Sequence, residues 1–275
     1  MSHNLSTLRM LLQDDLFVRV GQKMQPTAKA RALAGPVRAA LAQAQSALKA
    51  CDVFDPATEV RVFRVGLTDE MEMVLLPELM KRLQNEAPGI KLLSRSITVD
   101  TVDTMMDAGE IDLAVGCKDL LQSRYRGEIL FETEVTCCFN PMLIDKPGAL
   151  TRDDYLNARH AVLSQTENVA GCVGVALEGM GIELDIVVAA PDFMPLLAAA
   201  RHAPLIATVP CRIACQYAPL FGLEIRAMPF DMQFPPISMN WPMRVDCDAG
   251  GMWLRDQIRS VVGVLSNDLV QRAAE

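Results

Sequence analysis

The sequence predicts an α/β body of two units behind a basic helical arm. Three observations carry this reading. From about residue 60 onward, strand-like and helix-like segments alternate, the pattern of mainly parallel sheets. Hydrophobic residues make up 51% of the 275 and charged residues 22%, enough to bury a large core. Charge is divided unevenly. Residues 1–50 hold seven basic and two acidic side chains, the remainder 19 basic and 32 acidic, for a formal net charge of −8. The total alone disfavours nucleic acid as a partner. The division instead describes a positive arm on a negative body.

The arm opens with a helix over 2–12, where Leu5, Leu8 and Leu12 share a face and Ser2 can cap. LFVRV and KMQP around Gly21-Gln22 read as a small hairpin. Thr27 is a natural N-cap for a long helix to Ala50. Its Ala30, Leu33, Val37, Leu41, Ala44 and Leu48 form one apolar stripe through Gly35-Pro36. The stripe suits a partner helix, and the competing account is packing on the chain's own body. DVFDPAT, 52–58, is a hinge.

In the body, strands are expected at 60–66, 90–96 and 111–116, with helices at 71–85 and 100–108 between them. A strand at 134–140 follows. Thr151 to Asp154 resembles a capping box opening a short helix. Further strands fall at 161–164, 184–190, 205–209, 223–228 and 237–241, with helices at 171–180, near 193–200 and 210–218, and at 253–265. In such sheets ligands bind beyond the carboxyl ends of strands, where helix N-termini point.

Several function classes are disfavoured. No apolar run approaches the ~18 residues of a membrane helix. The first residues lack a secretory pattern, so a cytoplasmic location and no membrane partner are expected. Eight cysteines are present, most in apolar contexts such as EVTCCF, and are read as reduced thiols. Cys211 and Cys215 lie one helical turn apart, but only His3, His160 and His202 are available as further imidazole ligands. Core packing is the better account, and neither metal nor cofactor is predicted. Cys172 follows Gly171 at a helix start, where a thiolate is favoured, yet no partner base is evident. No catalytic set is expected.

The segment LSTLRMLLQDDLFVRVGQKMQPTAKARALAGPVRAAL resembles LysR-type transcriptional regulators, in the branch of nodulation and aromatic-degradation regulators. The body resembles the family in VGLTDEMEMVLLPELMKRLQNEAPGIKL, DAGEIDLAVG, and LIATVP followed by RIACQYAPLFGLE. The resemblance implies a two-lobed, type II periplasmic-binding-protein-like effector domain, preceded by part of a winged helix-turn-helix and a linker helix. Met1 falls where the family's third helix begins. The implied divisions are 1–26 for recognition helix and wing, and 27–57 for linker and hinge. Residues 58–136 with 239–270 form the first lobe and 137–238 the second. Crossings near Cys137-Cys138 and Ser238-Met239 are expected to be the hinge strands.

By the same resemblance, Ser2, His3, Ser6, Arg9, Arg19 and Lys23 face promoter DNA. A small effector, aromatic or carboxylate in kind, is expected to sit between the lobes against Thr68, Asp69, Ser96, Thr98, Gly116, Ala170, Phe193 and Thr208. Helix capping accounts equally well for Thr68, Asp69, Ser96 and Thr98, and core packing for Phe193. Asp192 would repel an effector carboxylate if it faces the cleft. A homodimer through the linker helix, assembling into a homotetramer, is expected. The alternative is a free-standing small-molecule-binding protein without DNA-binding activity.

Overall fold

The computed structural model describes residues 2–20, 23–49, 54–117 and 124–273. Gly21, Gln22, Ala50 and Cys51 lie outside these, as do the side chains of Ser2, His3, Ala44 and Leu48.

Helix α1 (Ser2–Leu12) runs into an antiparallel hairpin, β1 (Phe17–Val20) and β2 (Lys23–Pro26), with Phe17 opposite Pro26. A compact junction ties them. Asp14 Oδ1 accepts the Leu16 amide and the Thr27 hydroxyl, each at 2.7 Å. These hydrogen bonds hold the Asp14 carboxyl below its ordinary range, the Thr27 contact contributing most. Arg9 Nε donates to the Asp15 carbonyl at 2.7 Å, and Lys29 Nζ to the Leu12 carbonyl at 2.6 Å. Thr27 caps α2 (Ala28–Lys49) as expected, accepting the Ala30 amide at 3.1 Å. Helix α2 continues through Pro36 and passes close to the body, where a Cβ on Gly35 would lie 3.4 Å from Ala108. Val37 and Leu41 of its stripe are 51% and 59% exposed.

The body begins with β3 (Arg61–Leu67), α3 (Asp69–Glu86), β4 (Ile90–Ser96), α4 (Val102–Asp107), β5 (Leu113–Cys117) and β6 (Tyr125–Phe131). It continues through β7 (Val135–Phe139), α5 (Arg152–Leu156), β8 (Arg159–Leu163), α6 (Gly171–Glu178), β9 (Asp185–Ala190) and α7 (Phe193–His202). It closes with β10 (Ile206–Pro210), α8 (Cys211–Tyr217), β11 (Glu224–Ala227), β12 (Ile237–Pro242) and α9 (Ala249–Ala273). Helix α5 opens with the anticipated reciprocal cap: Thr151 Oγ1 accepts the Asp154 amide, and Asp154 accepts the Thr151 amide, each at 3.1 Å.

Two five-stranded sheets result, in the orders β4-β3-β5-β12-β6 and β11-β7-β10-β8-β9. The expected β-α-β series sets β3, β4 and β5 parallel, while β12 lies antiparallel between β5 and β6. Strand β6 was not anticipated. Arg126, Gly127 and Glu128 interrupt its apolar pattern, and its position is fixed by pairing with β12 at the sheet edge. The chain passes from the first sheet to the second through 132–134 and returns through 228–236. Residues 137–138 and 238–239, near which hinge strands are expected, lie in β7 and β12, the strands that directly follow these crossing segments. The two crossing segments are joined by the Thr133 hydroxyl, which donates to the Pro235 carbonyl at 2.9 Å.

One apolar core runs through both lobes. Met71, Val74, Leu75 and Leu79 of α3 join it from the first lobe, and Leu196, Leu197 and Ile213 of α7 and α8 from the second. A second cluster on the other face of the second sheet holds Cys137, Phe139, Tyr155, Val162 and Leu177. The thiols of Cys137 and Cys138 are buried, which pushes both well above the ordinary cysteine value. These are core cysteines, as the sequence suggested.

Candidate functional site

Parallel strands β3, β4 and β5 end at one edge of the first sheet, delivering Thr68, Ser96 and Gly116 to the same side of the lobe. There α3 meets the second lobe. Asp69, its first residue, accepts the backbone N–H of Phe193, the first residue of α7, at 2.7 Å. One helix start thus places a carboxylate on the other, satisfying an amide that has no partner within its own helix. Burial raises the Asp69 carboxyl above its ordinary value. The Phe193 amide works against that, while Asp192 and Glu72 add to it. The Tyr217 hydroxyl, just beyond, donates to the Met73 carbonyl at 2.7 Å and fastens α3 to α8.

Beneath this contact lies a set of unsatisfied polar atoms. Thr68 has the extended backbone of an N-cap, yet its hydroxyl makes no capping bond and its Oγ1 is buried without a hydrogen-bond partner. Simple capping does not account for it. Glu70 is only 5% exposed, with Oε1 likewise unpartnered. Burial pushes its carboxyl up to about 7, opposed by Arg212 and reinforced by Asp69. Arg212, on α8, lays its guanidinium 3.6 Å from the Phe131 ring centroid and leaves Nε buried and unpartnered. Its Nη1 donates to the Glu132 carbonyl at 3.4 Å, so the side chain touches a crossing segment.

Gly116 is where β5 approaches Thr68. A Cβ there would fall 2.4 Å from Thr68 Cγ2, so only glycine permits the contact. Behind it, Ser238 Oγ donates to the Gly116 carbonyl at 3.3 Å and receives Asn240 Nδ2 at 2.7 Å. The thiols of Cys117 and Cys211 border the same junction, each pushed up to about 11 chiefly by burial, with Glu70 contributing to both.

The other anticipated residues are spread more widely. Ser96 is exposed, and the Thr98 and Thr101 hydroxyls lie 3.2 Å apart. Ala170 precedes α6, its amide donating to Asn168 Oδ1 at 2.9 Å. Phe193 offers its backbone to Asp69 but its ring to the core, at 7% exposure. Thr208 lies apart from the group. It is 2% exposed, and its hydroxyl is 2.8 Å from that of Tyr155 on the opposite face of the sheet. Of the DNA-facing set, Ser6 is exposed on α1, whereas Arg9 is committed to the turn after that helix. Lys23 pairs opposite Val20 on the hairpin, and Arg19 opposite Met24.

Glu70 and Arg212 were not anticipated. A signal for Glu70 did exist: it precedes Val74 by four residues, which puts an acid on the buried stripe of α3. Arg212 adjoins buried Ile213 and Ala214, but its lodging against Phe131 depends on chain crossings that sequence spacing does not show. A separate groove of about 330 Å³ opens between α3 and α9, lined by Glu78, Arg82, Glu86 and Val264 among others. It contains none of the anticipated residues.

The LysR substrate binding domain profile matches residues 56–261, covering both sheets and the junction between them. The chain belongs to the LysR family of transcriptional regulators. This LysR-type regulator is 33% identical to the HTH-type transcriptional activator NagR of Ralstonia sp. over 257 residues, 92% of this chain and 84% of NagR. Among solved structures, a probable transcriptional regulator PA0477 from Pseudomonas aeruginosa is 29% identical with a TM-score of 0.75. That match covers 94% of this chain and 86% of the other. The regulatory domain of MexT, a transcriptional activator in Pseudomonas aeruginosa, is 32% identical with a TM-score of 0.66. It covers 74% of this chain and 100% of that domain. These relatives are transcription regulators. Among the described residues no helix is long and apolar enough to cross a membrane.

Proposed function

We propose that this LysR-type regulator binds its effector between the two lobes, against Thr68, Asp69, Gly116 and Phe193, with Ser96, Thr98 and Ala170 at the margins. Thr208 is left out because its hydroxyl is engaged by Tyr155. The observation that carries the reading is the Asp69–Phe193 bond, which joins helix starts of different lobes above buried polar atoms that have no partner. A molecule entering there alters that bond and hence the relation of the lobes, and a population shift of this kind couples an effector to a distant output. The output is promoter DNA, contacted by α1 and the hairpin. The assembly is a dimer joined along the exposed Val37–Leu41 face of α2, and then a tetramer. The protein acts in the cytoplasm and carries out no chemical step of its own.

The test is a thermal-shift screen of small molecules on the full chain. A ligand that binds the folded state raises Tm. The gain is expected in the wild type and lost in Thr68→Val. A gain unchanged by Thr68→Val overturns the placement.

A further inference from the structure

Among the described residues, the junction holds three buried polar atoms without hydrogen-bond partners: Thr68 Oγ1, Glu70 Oε1 and Arg212 Nε. Such atoms are nearly always paired in folded proteins, so each of the three keeps hydrogen-bonding capacity for a further polar group. They come from three elements, namely the end of β3, the first turn of α3 and the start of α8. Glu70, at 5% exposure, is the most deeply held.

The charges around them restrict which molecule can supply that group. A helix N-terminus ordinarily receives an anion. At α7 this place is already filled by the Asp69 carboxylate, 2.7 Å from the Phe193 nitrogen. Asp192 and Glu72 add negative charge around Asp69. Glu72 also accepts the Ser94 hydroxyl, which holds it in place. Among the described residues the junction's cation, Arg212, already faces Glu70 and Glu134. An incoming carboxylate would displace Asp69 or enter beside several acids, and like charges at such range are strongly disfavoured.

We propose that the interlobe site takes an uncharged small molecule bearing hydroxyl or carbonyl groups, read by Thr68, Glu70 and Arg212, and that Asp69 keeps carboxylates out. The proposal rests on the reading that the effector lies between the lobes. Thr68 both donates and accepts. Glu70 donates to a carbonyl when protonated and accepts from a hydroxyl when ionised. Arg212 Nε donates to either oxygen. Asp69 acts as an internal stand-in for the anion that the helix start would otherwise attract.

The experiment uses matched probes on the full chain near neutral pH: benzoic acid, benzamide and benzyl alcohol, then salicylic acid, salicylamide and salicyl alcohol. Tm is read for each. The amide or alcohol of a set is expected to raise Tm while the acid leaves it unchanged. Asp69→Asn is expected to let the acid bind, improving its affinity by about tenfold or more. Glu70→Leu abolishes the response to the neutral probe, and Glu70→Gln retains it. If acids stabilise the wild type as well as the neutral probes do, and Thr68→Val removes that effect, the site is right and the ligand class is wrong. If responses survive both Thr68→Val and Glu70→Leu, the interlobe reading itself fails. A panel in which no probe raises Tm also overturns the proposal.

Discussion

Replacing Glu70 by glutamine removes a titration that the fold opposes. In the folded chain burial pushes this carboxyl from an ordinary 4.5 to about 7. The folded state therefore holds a proton that the unfolded chain has already released. Stability attributable to Glu70 is intact below pH 4.5, falls as pH rises through the interval to about 7, and is lost above it. At ~1.4 kcal/mol per pKa unit, the loss comes to about 3 kcal/mol. Glutamine has nearly the same shape as the protonated acid and does not titrate, so Glu70→Gln is expected to escape the loss. The assay is urea unfolding of both proteins at about pH 5 and about pH 8, with the difference in unfolding free energy compared between the two. Glu70→Gln is expected to gain 2–3 kcal/mol on the wild type, roughly, between those pH values. A difference that stays constant with pH would show that Glu70 ionises freely in the fold, and would refute the argument that it is a buried, unsatisfied acid.

Gly116→Ala drives a Cβ to within 2.4 Å of Thr68 Cγ2. It is expected to cost about 1–3 kcal/mol by overpacking, and Thr68→Ser, which removes that methyl, is expected to recover most of the loss in a double-mutant cycle. Leu41→Asp puts a charge on the exposed stripe of α2 and is expected to lower the oligomeric state measured by light scattering, with little effect on Tm. Thr208→Val strands the buried Tyr155 hydroxyl and is expected to cost about 1–3 kcal/mol in chemical denaturation, without altering ligand-induced shifts in Tm.

Much of the fold was legible because local chemistry and tertiary structure agree. The apolar stripe of α3, the Thr27 cap and the Thr151–Asp154 box each specify a short piece of backbone that long-range packing did not overturn. Strand β6 was not legible, since its polar residues depend on β12, more than a hundred positions away, for their place in a sheet. The site was legible in part. Strand ends and helix starts led to Thr68, Asp69 and Gly116, because the topology of parallel sheets gathers them on one side. Whether a hydroxyl there is spent or unspent depends on the partner it meets. Thr208 and Thr68 look alike in sequence, yet one is satisfied by Tyr155 and the other has no partner. Glu70 and Arg212 come from opposite lobes, and only the three-dimensional contact of α3 with α8 makes them neighbours.

The central claim is that the effector acts where α3 and α7 meet head to head. The most direct measurement is the backbone amide resonance of Phe193 in ¹⁵N-labelled protein, titrated with whatever compound raises Tm. Because that amide donates to Asp69, the account predicts that its shift moves with ligand at the same midpoint as the Tm gain, and that both responses are lost in Thr68→Val. A saturating ligand that leaves the Phe193 amide unmoved would contradict it.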